Sequence, residues 1–185
     1  MREREVITVT RDVEATLIPS GEKAALEAGT IVFITQSLGG TFTVSTDRGM
    51  LLSIKGKDAD ALGKKPEDAG GLSPADLSSQ PVDKLVWKQL RTCFDPEIPH
   101  NIVDLGLIYD CKITPLSGSA TEKRVDIKMT LTAPGCGMGD WLKQDVASKV
   151  MLVPTVKQVN VEIVFEPPWD RSKISDVLRR EMNLL

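Results

Sequence analysis

Apolar positions along the first third of this chain fall in short β-prone runs. "VITV", "EATLI", "TIVFIT", "TFTVST" and "MLLSI" lie between Val6 and Ile54, cut by the turn-forming stretches "PSGE", "EAG", "LGG" and "TDRG". This texture predicts a small all-β module over residues 1–62. Gly39-Gly40 before Thr41 predicts a tight corner, because glycine enters the left-handed backbone regions at little cost. Residues 63–80, "GKKPEDAGGLSPADLSSQ", lose all periodicity and are rich in Gly, Pro, Ser and acids. That composition predicts a linker.

The pattern then changes. Val82, Leu85, Val86, Leu90 and Cys93 recur at helical spacing from about Pro81 to Cys93, where the residue before Pro96 is pushed out of the α region. Alternation over Leu107–Ile113 and again over Val125–Ala133 predicts two strands, paired as a hairpin across "TPLSGSATEK". Helical spacing returns from Gly139 to Met151 and ends before Pro154; Val159, Val161, Ile163 and Phe165 then mark a third strand. A final amphipathic helix is expected over about Ser172–Met182, after "EPPWD". The order α-β-β-α-β-α over residues 81–185 predicts an α+β domain, a small three-stranded sheet packed with helices.

Composition narrows the function. A net charge of -3 argues against a sequence-independent nucleic-acid binder, which would carry a basic excess on one face. The start "MREREVITVT" is charged at once and never enters an apolar run, so no signal-peptide core, membrane-spanning helix or membrane partner is expected, and a cytoplasmic location is. The three cysteines, Cys93, Cys111 and Cys136, have no CxxC spacing, and an odd count in a cytosolic chain argues against a disulfide framework. With His100 as the single histidine, a Ser-His-Asp triad would have to use it, and a multi-histidine zinc site within one chain is excluded.

Chemistry concentrates at residues 130–141, "TLTAPGCGMGDW". A strand ending near Ala133 and a helix starting near Gly139 place Cys136 just before a helix N-terminus. Unpaired N–H groups and the helix dipole there favour an anion and could draw a thiol from about 8.5 towards 7. Gly135, Gly137 and Gly139 let the backbone bend tightly and leave the sulfur open to a metal ion or cluster. The loop "CFDPEIPHNIVDLGL" supplies Asp95, Glu97, His100 and Asp104, stiffened by Pro96 and Pro99. Carboxylates beside a thiolate could assist iron binding or accept protons; Asp95 and Asp104 would equally serve as caps of helix ends or turns. Cys93 and Cys111 fall on apolar stripes and read as structural, and His100 as an incidental loop residue.

Three stretches in order, "FDPEIPHNIVDLGLIYD", "MTLTAPGCGMGD" and "EPPWDRSKISDVLR", make the chain resemble the SufT-type iron-sulfur cluster maturation proteins. More broadly it resembles the metal-sulfur cluster biosynthesis family, with the cytosolic iron-sulfur targeting factors and the PaaD-like accessory proteins. "VFITQSLGGTFTV" and "GKDADALG" resemble the N-terminal extension of the SufT branch. The resemblance implies a non-enzymatic auxiliary role in iron-sulfur cluster assembly or transfer, with Cys136 at the position of the family's key cysteine. Asp95 and Glu97 match its "DPE" motif, Asp104 its "VDLGL" motif, and Thr132 and Gly135 the "T-x-P-G-C" segment, with Gly137 beside the cysteine as a further supporting position. His100 and Gly137 depart from the wider family, which places a small apolar residue and a proline there.

A conventional cluster takes four cysteine thiolates, and one chain offers one well-placed sulfur. The expectation is therefore iron or an iron-sulfur cluster held transiently and shared with a second protomer of a homodimer, a small thiol or a client, or no cluster at all. The implied partners are iron-sulfur carrier or scaffold proteins and client apoproteins. Two alternatives stand beside this reading: a thiol enzyme with Cys136 as nucleophile and His100 or a carboxylate as base, and a non-metal adaptor for a multicomponent oxygenase.

Overall fold

A computed structural model describes residues 5–66, 72–96, 98–133 and 137–183. The chain divides into two units, Met1–Gly71 and Leu72–Leu185.

In the first unit the strands are β1 (Glu5–Thr8), β2 (Val13–Ile18), β3 (Lys23–Leu26), β4 (Ile31–Leu38), β5 (Thr41–Thr46) and β6 (Leu51–Lys55). Among the described residues they form one antiparallel sheet in the order β1-β4-β5-β6-β2-β3. Gly39 and Gly40 make the β4–β5 corner with φ of 63° and 70°. That is the doubly left-handed two-residue turn whose twist suits a hairpin. One face buries Val13, Val32, Val44, Leu52 and Ile54 together with Ala59, Ala61 and Leu62 of a closing 3-10 helix, Gly56–Leu62. Arg11 ties that helix to the β1–β2 connection through Asp60 (2.6 Å) and Asp58 (3.1 Å). Strand β3 has no counterpart in the sequence reading. Its "KAAL" has low intrinsic strand preference and is held extended by pairing with β2, Ala24 opposite Ala15 and Leu26 opposite Val13.

The span read as a linker, 63–80, needs a correction, because it contains helix α1 (Pro74–Ser79) in the second unit. Ser73 and Asp76 form a reciprocal capping box: the Ser73 hydroxyl accepts from the Asp76 N–H (3.1 Å) and the Asp76 carboxylate accepts from the Ser73 N–H (2.8 Å). Lys88 then holds the same carboxylate at 2.6 Å. Composition hid a helix whose stability comes from its cap and from Lys88, not from an apolar stripe.

The rest of this unit runs α2 (Val82–Leu90), β7 (Ile108–Pro115), β8 (Lys123–Met129), α3 (Gly139–Val150), β9 (Val156–Ile163) and α4 (Asp176–Glu181). The expected α+β architecture is present, a three-stranded sheet β7-β8-β9 with helices on it. β7 and β8 pair antiparallel as the expected hairpin; β8 and β9 pair parallel, with α3 as the crossover. Leu85, Val86 and Leu90 of α2 and Leu142, Val146 and Val150 of α3 are buried, as are Val125, Ile127 and Met129 of β8. On the other face, charges alternate across the strands: Asp110 is opposite Lys128, which is opposite Glu162, and Lys112 is opposite Asp126. Opposite charges so paired make a face compatible with solvent. Several boundaries differ from expectation by a few residues, two of them by about four. β8 ends at Met129 instead of Ala133, and the last helix is shortened to a 3-10 turn, Arg171–Lys173, followed by α4, because Ser175 caps α4 by accepting from the Leu178 N–H at 3.2 Å.

Candidate metal-sulfur site at the Gly-rich turn

The turn between β8 and α3 is anchored on both sides. Upstream, Thr130 is buried and donates its N–H to the Leu107 carbonyl (2.8 Å); Leu131 is also buried. Downstream, Met138 and Trp141 are buried at the start of α3. The Met138 carbonyl accepts the first helical bond from the Leu142 N–H at 2.9 Å, and no side chain caps that end. Among the described residues no side chain takes its first N–H groups. Gly139 has a packing reason: a Cβ there would lie 2.9 Å from Ile163 Cδ1 and 3.3 Å from Leu131 Cδ1. The helix therefore starts in contact with the end of β9. Beside it lies an open groove of about 570 Å³, lined by Leu131, Gly137, Asp140, Lys143, Glu162 and Phe165 among others.

Cys136 and Gly135 lie outside the described residues, as does Glu97. Gly137, the residue after Cys136, is exposed in the groove, and Thr132 is half-buried just before the turn. Asp95 is buried and accepts from the Ile98 N–H at 3.3 Å. The Asp104 carboxylate is engaged by Arg91 (3.0 Å) and by the Asn101 side-chain amide (2.6 Å). His100 is half-buried, with its backbone N–H donated to the Ile98 carbonyl. Among the described residues, no group of three or more His, Cys, Asp and Glu side chains converges as a metal site.

The motif segments do meet through their backbones. The loop carrying Asp95 and Asp104 folds back on itself, with the Ile102 N–H donated to the Cys93 carbonyl, and its end, Leu107, receives the Thr130 bond. The C-terminal segment straps over the same loop. Trp169 Nε1 donates to the Leu105 carbonyl (2.8 Å), the Ser175 N–H to the Asp104 carbonyl (2.8 Å), and the Tyr109 hydroxyl to the Pro167 carbonyl (2.8 Å). The Lys173 ammonium sits 4.9 Å from the centre of the Tyr109 ring. The "EPPWD" stretch thus supports the loop that supports the turn.

Sequence reasoning missed a buried ion pair at the back of this region. Lys149 and Asp145 of α3 meet at 2.9 Å with side chains only 4% and 10% exposed, and the Lys149 ammonium also donates to the Thr92 carbonyl (2.8 Å), just after α2. Their i,i+4 spacing has the same signature as an exposed helical pair, so no sequence signal marks the burial.

The two described cysteines are held as thiols. Cys93 is fully buried, and burial, then the neighbouring Asp145 charge, pushes its pKa well above the usual range. Cys111 is half-buried on β7 and is pushed up to about 11 by burial and by Asp110. In the native protein near pH 8, iodoacetamide is expected to leave Cys93 unlabelled and to label Cys111 slowly, as the thiolate is the reactive form. Peptide mass spectrometry over a time course checks this, and rapid labelling of Cys93 would contradict its burial.

Residues 84–163 match the iron-sulfur cluster assembly protein family. Over 100 residues the chain is 40% identical to an Fe-S protein maturation auxiliary factor of Porphyromonas gingivalis, spanning 54% of this chain and 90% of that protein. It is 36% identical over 86 residues to the Fe-S protein maturation auxiliary factor YitW of Bacillus subtilis, spanning 46% and 78%. A third similarity, 35% over 81 residues, is to the maturation auxiliary factor SufT of Staphylococcus aureus, spanning 44% and 85%. The chain belongs to the iron-sulfur cluster assembly protein family, and the matched stretch lies wholly within the second unit. These relatives bear the names of maturation factors, not of enzymes, in agreement with the sequence reading. Among the described residues no helix is long and apolar enough to cross a membrane.

Proposed function

We propose that this protein assists iron-sulfur protein maturation by holding iron or a cluster transiently at Cys136, with the remaining ligands supplied by another molecule, and passing it to client apoproteins. The observation that carries the reading is the contrast among its three cysteines. Cys93 is sealed in the core and Cys111 is held protonated, whereas Gly137, the residue after Cys136 in sequence, is exposed in an open groove at the start of α3, in the family-matching stretch. Relatives named as iron-sulfur cluster carrier proteins in Deinococcus radiodurans and Synechocystis support the cargo. Clusters and iron are here substrate in transit, and the partners are the carriers that supply them and the apoproteins that receive them.

The test is anaerobic reconstitution with iron and sulfide, wild type against Cys136→Ser, read by visible absorption and by iron and sulfide content. It is paired with activation of an apo dehydratase that needs a [4Fe-4S] cluster. Wild type is expected to show a coloured species with fewer clusters than chains, and Cys136→Ser to lose it and to slow activation by about tenfold or more. Equal activation by the serine variant would overturn the role of the thiol.

A further inference from the structure

The loop with the acids ends in a tight turn over residues 101–107 that is closed by bonds of its own: Leu105 donates its N–H to the Asn101 carbonyl (3.0 Å), Gly106 to Val103 (3.0 Å) and Leu107 to Ile102 (2.9 Å). Ile102, Leu105 and Leu107 are 2% exposed or less. A turn so bonded and buried moves as one body, because bending it would leave buried polar groups unpaired. Three of its carbonyls reach other elements. Asp104 accepts from the Ser175 N–H and Leu105 from the Trp169 indole N–H, both at 2.8 Å and both from the C-terminal strap; Leu107 accepts from the Thr130 N–H (2.8 Å). Thr130 is 1% exposed, and Leu131 after it meets the first residue of α3, since a Cβ on Gly139 would lie 3.3 Å from Leu131 Cδ1. The start of the segment between β8 and α3 is thus fixed to the Leu107 carbonyl.

We infer that Trp169 is a positioning residue for the Gly-rich turn: its indole N–H, acting through the turn at 101–107 and the Leu107 carbonyl, fixes Thr130 and with it the start of the segment that carries Cys136. The consequence for cargo rests on the reading of Cys136 as a ligand, whereas the coupling itself runs through backbone groups on either side of that residue. Trp169 suits the role because its indole is a donor only, with a large half-buried ring to hold it in place. The Tyr109 hydroxyl holds the same strap at the Pro167 carbonyl (2.8 Å), but from β7 and off the route to Thr130. Each link on the route is one hydrogen bond between residues far apart in sequence, so withdrawing one donor probes the whole of it.

Amide hydrogen exchange of the metal-free full chain tests the coupling. Trp169→Phe, which keeps a ring and removes the donor, is expected to speed exchange at Thr130 about fivefold, and Tyr109→Phe, which removes one bond from the same strap, to change it by less than about twofold. If the phenylalanine variant does not fold, benzothienylalanine at position 169, with sulfur in place of the N–H, carries the same expectation. Iodoacetamide labelling reads the consequence, with Cys111 as the reference for general loosening of the unit. In Trp169→Phe the pH midpoint at Cys136 should rise by about 0.2–0.7 while that at Cys111 stays, as a thiolate held less firmly ahead of α3 loses part of the helix field. Unchanged exchange at Thr130, equal acceleration by the two variants, or a Cys136 midpoint that does not move would each overturn the proposal. Cluster loss in Cys136→Ser is read separately, so failure of the coupling leaves the cargo reading standing, and failure of the cargo reading leaves the Thr130 result standing.

Discussion

Replacement of Gly106 by alanine is expected to destabilise the Leu72–Leu185 unit by about 3–5 kcal/mol. Gly106 has a φ of +70°, and a Cβ built there would lie 2.0 Å from the Lys173 carbonyl oxygen and 2.6 Å from its carbon. The left-handed backbone alone costs an alanine about 1–2 kcal/mol. The clash adds more, because its partner is backbone and cannot rotate aside. Relief requires the C-terminal strap to lift, which would cost the Ser175 to Asp104 and Trp169 to Leu105 bonds. Urea unfolding would measure the loss, and hydrogen exchange would locate it as faster exchange at Ser175 ahead of the β8 amides. A variant unfolding within about 0.5 kcal/mol of wild type would show that the strap does not bear on this glycine.

Lys149→Met is the second large expected effect. It leaves the Asp145 carboxylate, one-tenth exposed, without its cation, and the Thr92 carbonyl without its donor. Breaking one half of a buried pair costs about 3–5 kcal/mol, since the remaining charge is uncompensated. Removing both halves, in Lys149→Met with Asp145→Leu, should recover most of that loss, because two apolar side chains avoid the desolvation cost that the pair incurs. The position of the pair makes the single variant informative beyond stability. Thr92 lies one residue before Cys93, whose carbonyl holds Ile102 and so closes the loop with Asp95 and Asp104. Exchange at the Ile102 amide should therefore rise in the single variant and fall back in the double. Equal stability of the single variant and wild type would contradict the burial of the pair.

The second unit was legible in sequence where periodicity and packing coincide. The alternation of Val125, Ile127 and Met129 and the row Leu142, Val146 and Val150 are both buried as their spacing predicts, because a strand or helix buried on one side writes its period into its composition. Capping was less visible. The Ser73–Asp76 box lay in a stretch that composition marked as linker, and β3 between the turn stretches "PSGE" and "EAG", in a run to which the pattern assigns no element. For α1 the Ser-x-x-Asp spacing is local but Lys88 lies a further turn and a helix away; for β3 the pairing with the preceding strand β2 overrides a weak strand preference.

The candidate site divides in the same way. The Gly-rich segment, its cysteine and the loop with its acids stand out as candidates from residue types and spacing, as a thiol among glycines before a helix suggests chemistry. What the acids do does not stand out. Asp104 is occupied by Arg91 and Asn101, and Asp95 is buried against its own loop, roles that depend on which side chains the fold brings near. Sequence by itself determined the order of the main elements of the second unit and their buried faces, because those depend on period. Tertiary structure decided the rest: that Lys149 and Asp145 are buried, that Gly106 must be glycine, and that β8 is the central strand of its sheet. Each of these depends on distances between residues far apart in the chain, set only when the elements pack.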